Sequence, residues 1–406
     1  MSPSDDILKS LAKGFMPQAE TLEIPTKKSD LFIGMPKEIS IQEKRVPLIP
    51  DAVALLVNHG HRIRIESGAG EAAKFSDNDY SEAGAEITSS TQEIYKADLI
   101  LKVEPPTLEE LDLMQQNQTL ISALQLPIQP KNFLEKLIKK KVTAIAYDFI
   151  KDEDEIFPIV RAMSEIAGTS AIMIAAENLS NNLGGQGQMF GGISGVTPTN
   201  VVILGSGTVG EFSARSALGL GATVQIFNNS IYSLRRLQNN IGQRISTSII
   251  QPNVLLKALR RADVVIGAMR ASDGGRTPVI VSENMVMEMK VGSVIVDVSI
   301  DKGGCFETSE VTTHENPTFI KHDVIHYCVP NIASRVAKTA SIALSNVFAP
   351  ALLEAGQHGG IESSIRKYKG IQNGIYVYNG ILTNKYLAET FNLPYKNLQL
   401  LISNLY

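Results

Sequence analysis

The chain has 406 residues, of which 44% are hydrophobic, and a formal net charge of −4. This size and apolar content predict a soluble globular protein of two domains. The absence of a basic surplus excludes nucleic acid from the expected partners, because a phosphate backbone is bound through Lys and Arg. The cysteines are Cys305 and Cys328, too few and too widely spaced for a disulfide framework or a four-ligand zinc site, so we expect no metal.

Residues 1–30 form an N-terminal extension ahead of the regular pattern. Ile7, Leu8, Leu11 and Phe15 make a short apolar stripe, which we expect to pack against the body or a neighbouring subunit. The chain starts acidic and lacks the apolar core and cleavage site of a secretory signal. No uninterrupted apolar stretch reaches the roughly 18 residues of a membrane helix. We therefore expect a cytoplasmic protein without a membrane segment.

Strand and helix patterns alternate from residue 31 to about residue 160. The runs "LFIGMP", "HRIRIES", "AEIT", "DLILKV", "TLISALQ" and "VTAIAYDFI" predict strands, and the segments between them predict helices. This rhythm is typical of a largely parallel sheet with helices on both faces. Because "TLISALQ" stops at Gln125, we expect that residue to present a polar side chain at the tip of a strand.

A second β/α series follows a long helical stretch and the glycine-rich segment "LGGQGQMFGGISG". A further helix and a short β-like tail then close the chain. If the long helix leads into the second series, the later helix can lead back to the first. We therefore predict an α/β protein with two doubly wound parallel-sheet domains. The first is discontinuous and comprises residues 31–160 and 335–406, and the second, a Rossmann dinucleotide-binding domain, comprises residues 161–334.

The strongest motif of the chain is "VVILGSGTVGEFSARSALGLGATVQIF". Three glycines lie between a clear strand and an amphipathic helix, where the first permits a tight turn. The second lets the backbone approach a pyrophosphate, and the third lets the helix pack closely on the strand. The motif predicts a dinucleotide site formed by Gly205, Ser206, Gly207, Thr208, Val209 and Gly210.

The end of the next strand departs from the usual dinucleotide fingerprint. An acidic residue is expected there to accept both ribose hydroxyls, and this chain has "FNNS" instead. Asn228 can bond one ribose hydroxyl, but it lacks the charge that would repel a 2′-phosphate. The sequence therefore predicts NAD as cofactor and leaves NADP open.

Several segments together resemble the alanine dehydrogenase family, which also includes the α subunit of proton-translocating pyridine nucleotide transhydrogenase. They include "GMPKEISIQEKRVPLIPDAV", "ESGAGEAAKFSDNDYSEAGAEI", "MSEIAG" and "HYCVPNI". The resemblance implies a substrate domain, a Rossmann domain and an active site in the cleft between them. It also implies reversible oxidative deamination of L-alanine or a related small amino acid to a 2-oxo acid. The family usually forms homo-oligomers, so a hexamer or a dimer is expected.

The resemblance also implies roles for individual residues. Arg45 in "EKRVPL" matches the arginine that holds the substrate carboxylate, and Asp301 in "SIDKGG" matches the aspartate that faces nicotinamide and substrate. Positions around the cofactor are matched by Ser164, Gly267, Ala268, Met269 and Asn331.

Two pocket positions differ from those of the family's active dehydrogenases. In "LKVEPP", Lys102 matches a first lysine, but Glu104 replaces a second lysine that contacts the substrate. Gln125 replaces a histidine that acts as acid and base, a task an amide cannot perform. Lys102 could pair with Glu104 or partly replace the missing lysine. None of the six histidines is an obvious substitute, although His326 is expected near the cofactor cleft.

Three functions stay open at this point. The first is an NAD(P)-dependent oxidoreductase acting on an amino acid held by Arg45. The second is a catalytically impaired nucleotide-binding or regulatory homologue, which Glu104 and Gln125 favour. The third is a soluble, transhydrogenase-like hydride carrier that works with a separate membrane subunit.

Overall fold

The structure, a computed structural model, describes residues 29–40, 42–126, 129–270 and 275–403. Nearly all of the predicted N-terminal extension lies outside these residues. The strands are β1 (Phe32–Met35), β2 (Arg62–Glu66), β3 (Glu86–Thr88), β4 (Leu99–Leu101), β5 (Thr119–Ser122), β6 (Thr143–Ala146), β7 (Asn200–Leu204), β8 (Thr223–Phe227), β9 (Ser246–Ser248), β10 (Val264–Gly267), β11 (Val294–Asp297), β12 (Thr318–Lys321), β13 (Val324–Tyr327), β14 (Ile375–Tyr378) and β15 (Ile381–Leu382).

The α-helices are α1 (Pro50–Asn58), α2 (Asp77–Glu82), α3 (Thr91–Ile94), α4 (Leu108–Leu113), α5 (Lys131–Lys139), α6 (Pro158–Asn178), α7 (Thr208–Gly219), α8 (Ile231–Ile241), α9 (Pro252–Leu259), α10 (Glu283–Val286), α11 (Ala337–Gln357), α12 (Ile361–Lys367), α13 (Lys369–Gln372), α14 (Lys385–Phe391) and α15 (Leu398–Ser403). Local sequence explains several of their starts. Ser76 with Asp79, and Thr107 with Glu110, form reciprocal capping boxes at α2 and α4, which satisfy backbone N–H groups that a helix leaves free.

Two sheets organise these elements. The first has eight strands in the order β15-β14-β6-β5-β4-β1-β2-β3, and the second has seven in the order β12-β13-β11-β10-β7-β8-β9. Pairing is parallel except at β14, β15 and β12. Central strands such as β4, β10 and β11 are buried along their whole length, as expected of parallel strands covered on both faces. The predicted α/β class with two parallel sheets is confirmed.

Two predicted strand ends in the first sheet are wrong. β5 ends at Ser122 rather than at Gln125, and Gln125 itself has a left-handed φ of 47°, which is not a strand conformation. β6 ends at Ala146, and Tyr147–Phe149 form a 3₁₀ turn in which the Tyr147 hydroxyl donates a hydrogen bond to the Val103 carbonyl, 2.9 Å away. Polar residues after both strands therefore sit on turns.

Two helices, Pro158–Asn178 and Ile332–Gln357, are long and apolar enough to cross a membrane by length and composition alone. The expectation that no such segment exists was too strict, because it required an uninterrupted apolar run. Both helices belong to hydrophobic cores: Ala171, Ile172 and Ile174 pack with the second sheet, and Leu344 and Phe348 pack with the first. Core helices of globular domains pass the same composition test.

Candidate active site between the two sheets

The glycine turn joins β7 to α7 and leaves room at its centre. Gly205 has a φ of +114°, and a Cβ there would lie 2.1 Å from the Ala268 carbonyl oxygen. A Cβ on Gly210 would lie 2.2 Å from the Gly205 oxygen, whereas a Cβ on Gly207 would meet no atom of the described residues within 4 Å. The first and third glycines are therefore required by protein packing. The second faces open space, which fits the pyrophosphate of a dinucleotide at the start of a helix.

The residues between the glycines occupy the start of this helix. Thr208 and Val209 lie in the first turn of α7, whose N-terminal N–H groups have no intrahelical partner. Ser206 is buried, and its Oγ has no hydrogen-bond partner within the described ranges. An unpartnered buried hydroxyl next to free N–H groups is chemically suited to a phosphate oxygen.

The rim of the turn is formed by the ends of β8 and β10. Ala268 N–H donates to the Leu204 carbonyl, and Met269 N–H donates to Ser299 Oγ. A Cβ on Gly267 would lie 2.5 Å from Asp297 Oδ1, so that glycine is required by packing. At the end of β8, Asn228 Oδ1 accepts the Ser230 N–H at 2.8 Å. Its carbonyl oxygen is thus engaged, and its amide N–H₂ is the group with which it could reach a ribose.

Arg45 is held in a buried ion pair with Glu43. Its Nε and one terminal nitrogen donate to the two Glu43 oxygens at 2.7 and 2.5 Å, and the other terminal nitrogen lies 3.3 Å from Met163 Sδ. Burial alone would raise the pKa of Glu43, but the Arg45 guanidinium outweighs it and lowers that pKa. Arg45 is 9% exposed. Glu43 occupies the side of the guanidinium that could otherwise bind a substrate carboxylate through two parallel hydrogen bonds.

Asn331 links the Arg45 pair to the second sheet. Its Nδ2 donates to Glu43 Oε2 at 2.8 Å, and its backbone N–H donates to Asp301 Oδ1 at 3.0 Å. Asn331 has a φ of 55°, a left-handed conformation that Asn tolerates better than most residues. Asp301 lies in the 3₁₀ turn Val298–Lys302 after β11 and is exposed, yet desolvation by the surrounding protein raises its pKa. Arg45, Asp301 and Asn331 are therefore brought together.

Lys102 and Glu104 separate after β4. Lys102 is 2% exposed and donates to Glu110 Oε1 at 2.7 Å, with a Glu38 oxygen 3.7 Å away. The hypothesis that Lys102 pairs with Glu104 is wrong: β4 ends at Leu101, so the two residues do not share a strand face. Burial, together with the Glu43 carboxylate, raises the pKa of half-buried Glu104.

Gln125 and Ser164 are not joined to this cluster by a side-chain hydrogen bond among the described residues. Gln125 is exposed on the turn after β5, and Ser164 is half-buried in the first half of α6. Neither donates or accepts a side-chain hydrogen bond within the part of the chain that the structure describes.

His326 does not face the cofactor edge. It is fully buried in β13, where Nε2 lies 2.8 Å from Thr308 Oγ1 and Nδ1 lies 3.0 Å from the Val324 carbonyl. The Val324 carbonyl can only accept, so Nδ1 carries the proton and Thr308 donates to Nε2. Burial lowers the pKa of His326 to about 4. This histidine is neutral and engaged on both nitrogens.

Sequence reasoning missed Asp148, on the turn after β6. Its Oδ1 is buried without a hydrogen-bond partner among the described residues. Desolvation raises the pKa of Asp148 to about 6, against the opposing effects of its own N–H, Lys302 and Arg270. Lys302 and Arg270 follow β11 and β10, so charges at the edge of the second sheet act on Asp148. The available signal was its place directly after a buried apolar strand, in "TAIAYD".

Comparisons with known proteins agree with this architecture. The family models for the N-terminal and C-terminal domains of "Alanine dehydrogenase/PNT" match residues 34–167 and 171–385. Alanine dehydrogenase of Mycolicibacterium smegmatis is 37% identical over 90% of this chain and 98% of its own length. Alanine dehydrogenase of Methanococcus maripaludis is 38% identical over the same shares.

Solved structures give the same result. A structure titled L-alanine dehydrogenase has a TM-score of 0.83 at 37% identity and covers 89% of this chain and 99% of that chain. A transhydrogenase from Sinorhizobium meliloti has a TM-score of 0.73 at 20% identity, covering 87% and 99%, and shows the shared fold alone. With both family models matched along most of its length, the chain belongs to the alanine dehydrogenase/PNT family.

Proposed function

We propose that this protein is an NAD(P)-dependent oxidoreductase that reversibly deaminates L-alanine or a related small amino acid to the 2-oxo acid and ammonium. The observation that carries the proposal is the position of Asn331. It bonds Asp301 at the cofactor edge and the Glu43–Arg45 pair at the first sheet. A substrate held near Arg45 would thus lie beside the nicotinamide end of a dinucleotide seated on the glycine turn.

The chain's own residues support distinct tasks. The turn of Gly205, Gly207 and Gly210, with Ser206, Thr208 and Val209, would hold the pyrophosphate, and Ser164, Asn228, Gly267, Ala268, Met269 and Asn331 would surround the rest of the cofactor. A bound nicotinamide supplies the hydride acceptor. Arg45 would orient the substrate carboxylate with the terminal nitrogen that contacts Met163 Sδ, because its other two nitrogens each donate a hydrogen bond to Glu43. Asp301 would accept a hydrogen bond from the substrate amine.

The first sheet supports substrate positioning less directly. Glu104 would place a carboxylate where the resemblance implies a lysine, and Gln125 could orient a carbonyl or amine without exchanging its proton. Lys102 would act through Glu110 and Glu38 on the packing of the pocket wall. The lack of an acidic residue at Asn228 supports acceptance of NADP as well as NAD.

The proposal also covers the domain boundaries, the oligomeric state and the cellular location of the protein. We infer a substrate domain of residues 31–160 with 335–406 and a cofactor domain of residues 161–334, since β14 and β15 pair into the first sheet. We also infer a cytoplasmic homo-oligomer, a hexamer or a dimer, on the strength of the family resemblance.

Oxidation of NADH and NADPH, followed with pyruvate and other 2-oxo acids plus ammonium, tests the proposal. Direct cofactor binding is measured in parallel. Turnover with one of these acids is the expected result. Binding without turnover would support the second candidate, a nucleotide-binding homologue without catalysis, which Glu104, Gln125 and the occupied guanidinium of Arg45 favour. In that event, Glu104→Lys combined with Gln125→His should restore turnover.

A further inference from the structure

Asp148 shares one edge of the first sheet with the two replaced pocket positions. β4, β5 and β6 are parallel neighbours, and Glu104, Gln125 and Asp148 follow their respective carboxyl ends. In open α/β sheets, ligands bind beyond this end of the strands. Asp148 therefore lies where the substrate of the proposed reaction would lie.

The surroundings of Asp148 differ from those of a structural carboxylate. Its Oδ1 is buried and accepts no hydrogen bond from any described residue, although natural proteins pair nearly all such groups. The cations that act on it, Lys302 and Arg270, belong to the second sheet, and neither forms an ion pair with it in the described ranges. Its own sheet places two phenols near it, Tyr147 and Tyr376. A buried carboxylate oxygen that no described residue pairs can form a hydrogen bond with a molecule bound at this edge.

We propose that Asp148 is the catalytic acid and base of the deamination, in place of the histidine that Gln125 replaces. This inference rests on the proposed function. After hydride transfer the substrate is an iminium ion. Water attacks the iminium carbon, the C=N π electrons move to nitrogen, and the released water proton passes to Asp148 Oδ1.

The second half of the reaction returns that proton. Protonated Asp148 gives its proton to the carbinolamine nitrogen, the C–N bond breaks, and the hydroxyl oxygen forms the carbonyl. The hydroxyl proton passes to the carboxylate and then to the departing ammonia, which leaves as ammonium. The iminium ion and water have become a 2-oxo acid and ammonium, and Asp148 has its original charge. A pKa of about 6 suits both directions near neutral pH.

The test compares Asp148→Asn and Asp148→Glu with Asp154→Asn, a control on the exposed turn that follows. Rates of 2-oxo acid amination are measured from pH 5 to pH 9. Asp148→Asn should lower kcat by roughly a hundred- to ten-thousandfold, remove the rate change centred near pH 6, and leave NADH binding unchanged. Asp148→Glu should recover part of the rate with a shifted pH profile, and Asp154→Asn should match the unsubstituted enzyme.

Three outcomes would overturn the assignment in different ways. If the unsubstituted protein turns over a 2-oxo acid and Asp148→Asn keeps its rate and pH profile, the inference fails and the proposed function stands. If the unsubstituted protein does not turn over any of these acids, both fail. An increased KM with an intact pH profile would identify Asp148 as a latch that pairs with Lys302 and Arg270 on closure, and would also overturn the inference.

The melting temperature of Asp148→Asn separates a catalytic role from a structural one, because the two roles predict changes of opposite sign. Burial raises the pKa of Asp148 in the folded state, so its ionisation removes stability as the pH rises from about 4 through about 6. Asp148→Asn should therefore unfold at the same or a higher temperature at pH 7.5. A lower Tm, or a failure to fold, would show that Oδ1 is held by the fold and would overturn the inference.

Discussion

Asp297 and Asp148 are both desolvated carboxylates at the carboxyl ends of parallel strands, one in each sheet. Asp297 accepts hydrogen bonds from the Ser299 N–H at 3.0 Å, the Cys305 N–H at 2.9 Å and Ser309 Oγ at 2.7 Å. Asp148 Oδ1 accepts none from the described residues. The second sheet thus holds the Asp297 carboxylate with neutral donors, whereas the first sheet leaves Asp148 Oδ1 without one. A cofactor platform needs fixed geometry, and a proton-transferring edge needs a group that can change its charge.

The largest effect should follow from Gly205→Ala at the fixed edge. The new Cβ would lie 2.1 Å from the Ala268 oxygen at a φ of +114°, so both the backbone and its neighbour would have to move. We expect a loss of more than about 4 kcal/mol in the free energy of unfolding, measured by urea denaturation. A stability equal to that of the unsubstituted protein would show that this edge can shift without cost.

Asp297→Ala should have the next largest effect. The change removes the acceptor of two backbone N–H groups and one hydroxyl in a buried site, which costs about 3 kcal/mol. Denaturation at pH 7 measures it, with the exposed Asp154→Ala as control. Were Asp297→Ala as mild as Asp148→Asn, the contrast between the two carboxylates would disappear.

Glu38→Gln tests whether a buried carboxyl group of the first sheet makes the stability of the protein depend on pH. Glu38 accepts the Val103 N–H at 2.7 Å, and burial raises its pKa to about 7 despite Lys102. When a carboxyl group has a higher pKa in the folded than in the unfolded state, the free energy of unfolding falls as the pH rises, here between about pH 5 and pH 8. The loss is about 2 kcal/mol for this group. Glu38→Gln should flatten that slope in urea denaturation at the two pH values, and an unchanged slope would contradict this origin.

Gly207→Ala should have the smallest effect on the protein and a selective one on the cofactor. No atom of the described residues lies within 4 Å of the new Cβ, so Tm should stay within about one degree. The methyl group would occupy the space expected for pyrophosphate, and NADH affinity should fall by about tenfold, or about 1.4 kcal/mol. Titration of NADH fluorescence measures this change, and unchanged affinity would place the phosphates elsewhere.

The second sheet was the more predictable from sequence, for a physical reason. Its turn depends on glycine spacing within one strand and one helix, and Gly205, Gly207 and Gly210 all have environments that suit the predicted roles. Contacts of the first sheet join residues far apart in the chain. The pairing of Lys102 with Glu110 instead of Glu104, and the link from Asn331 to Glu43, depend on how turns orient side chains.

Strand ends explain the remaining differences. The apolar pattern of "LISALQLP" continues past Ser122, so sequence alone extended the strand to Gln125. The positive φ of Gln125, which is incompatible with a strand, is a backbone property that the apolar pattern does not encode. Asp148 was missed for a related reason: "TAIAYDFI" reads as one strand, and only the turn at Tyr147–Phe149 directs the carboxylate towards the other sheet.

The pairing of β14 with β6 has a consequence for synthesis on the ribosome. Ile375 pairs with Ile145, so the first sheet cannot be completed until almost the whole chain has emerged. All seven strands of the second sheet lie between Asn200 and Tyr327, and that sheet can close earlier. The nascent chain would then carry a finished nucleotide-binding sheet beside an incomplete one whose edge strand, β6, stays open to chaperones until the last strands arrive.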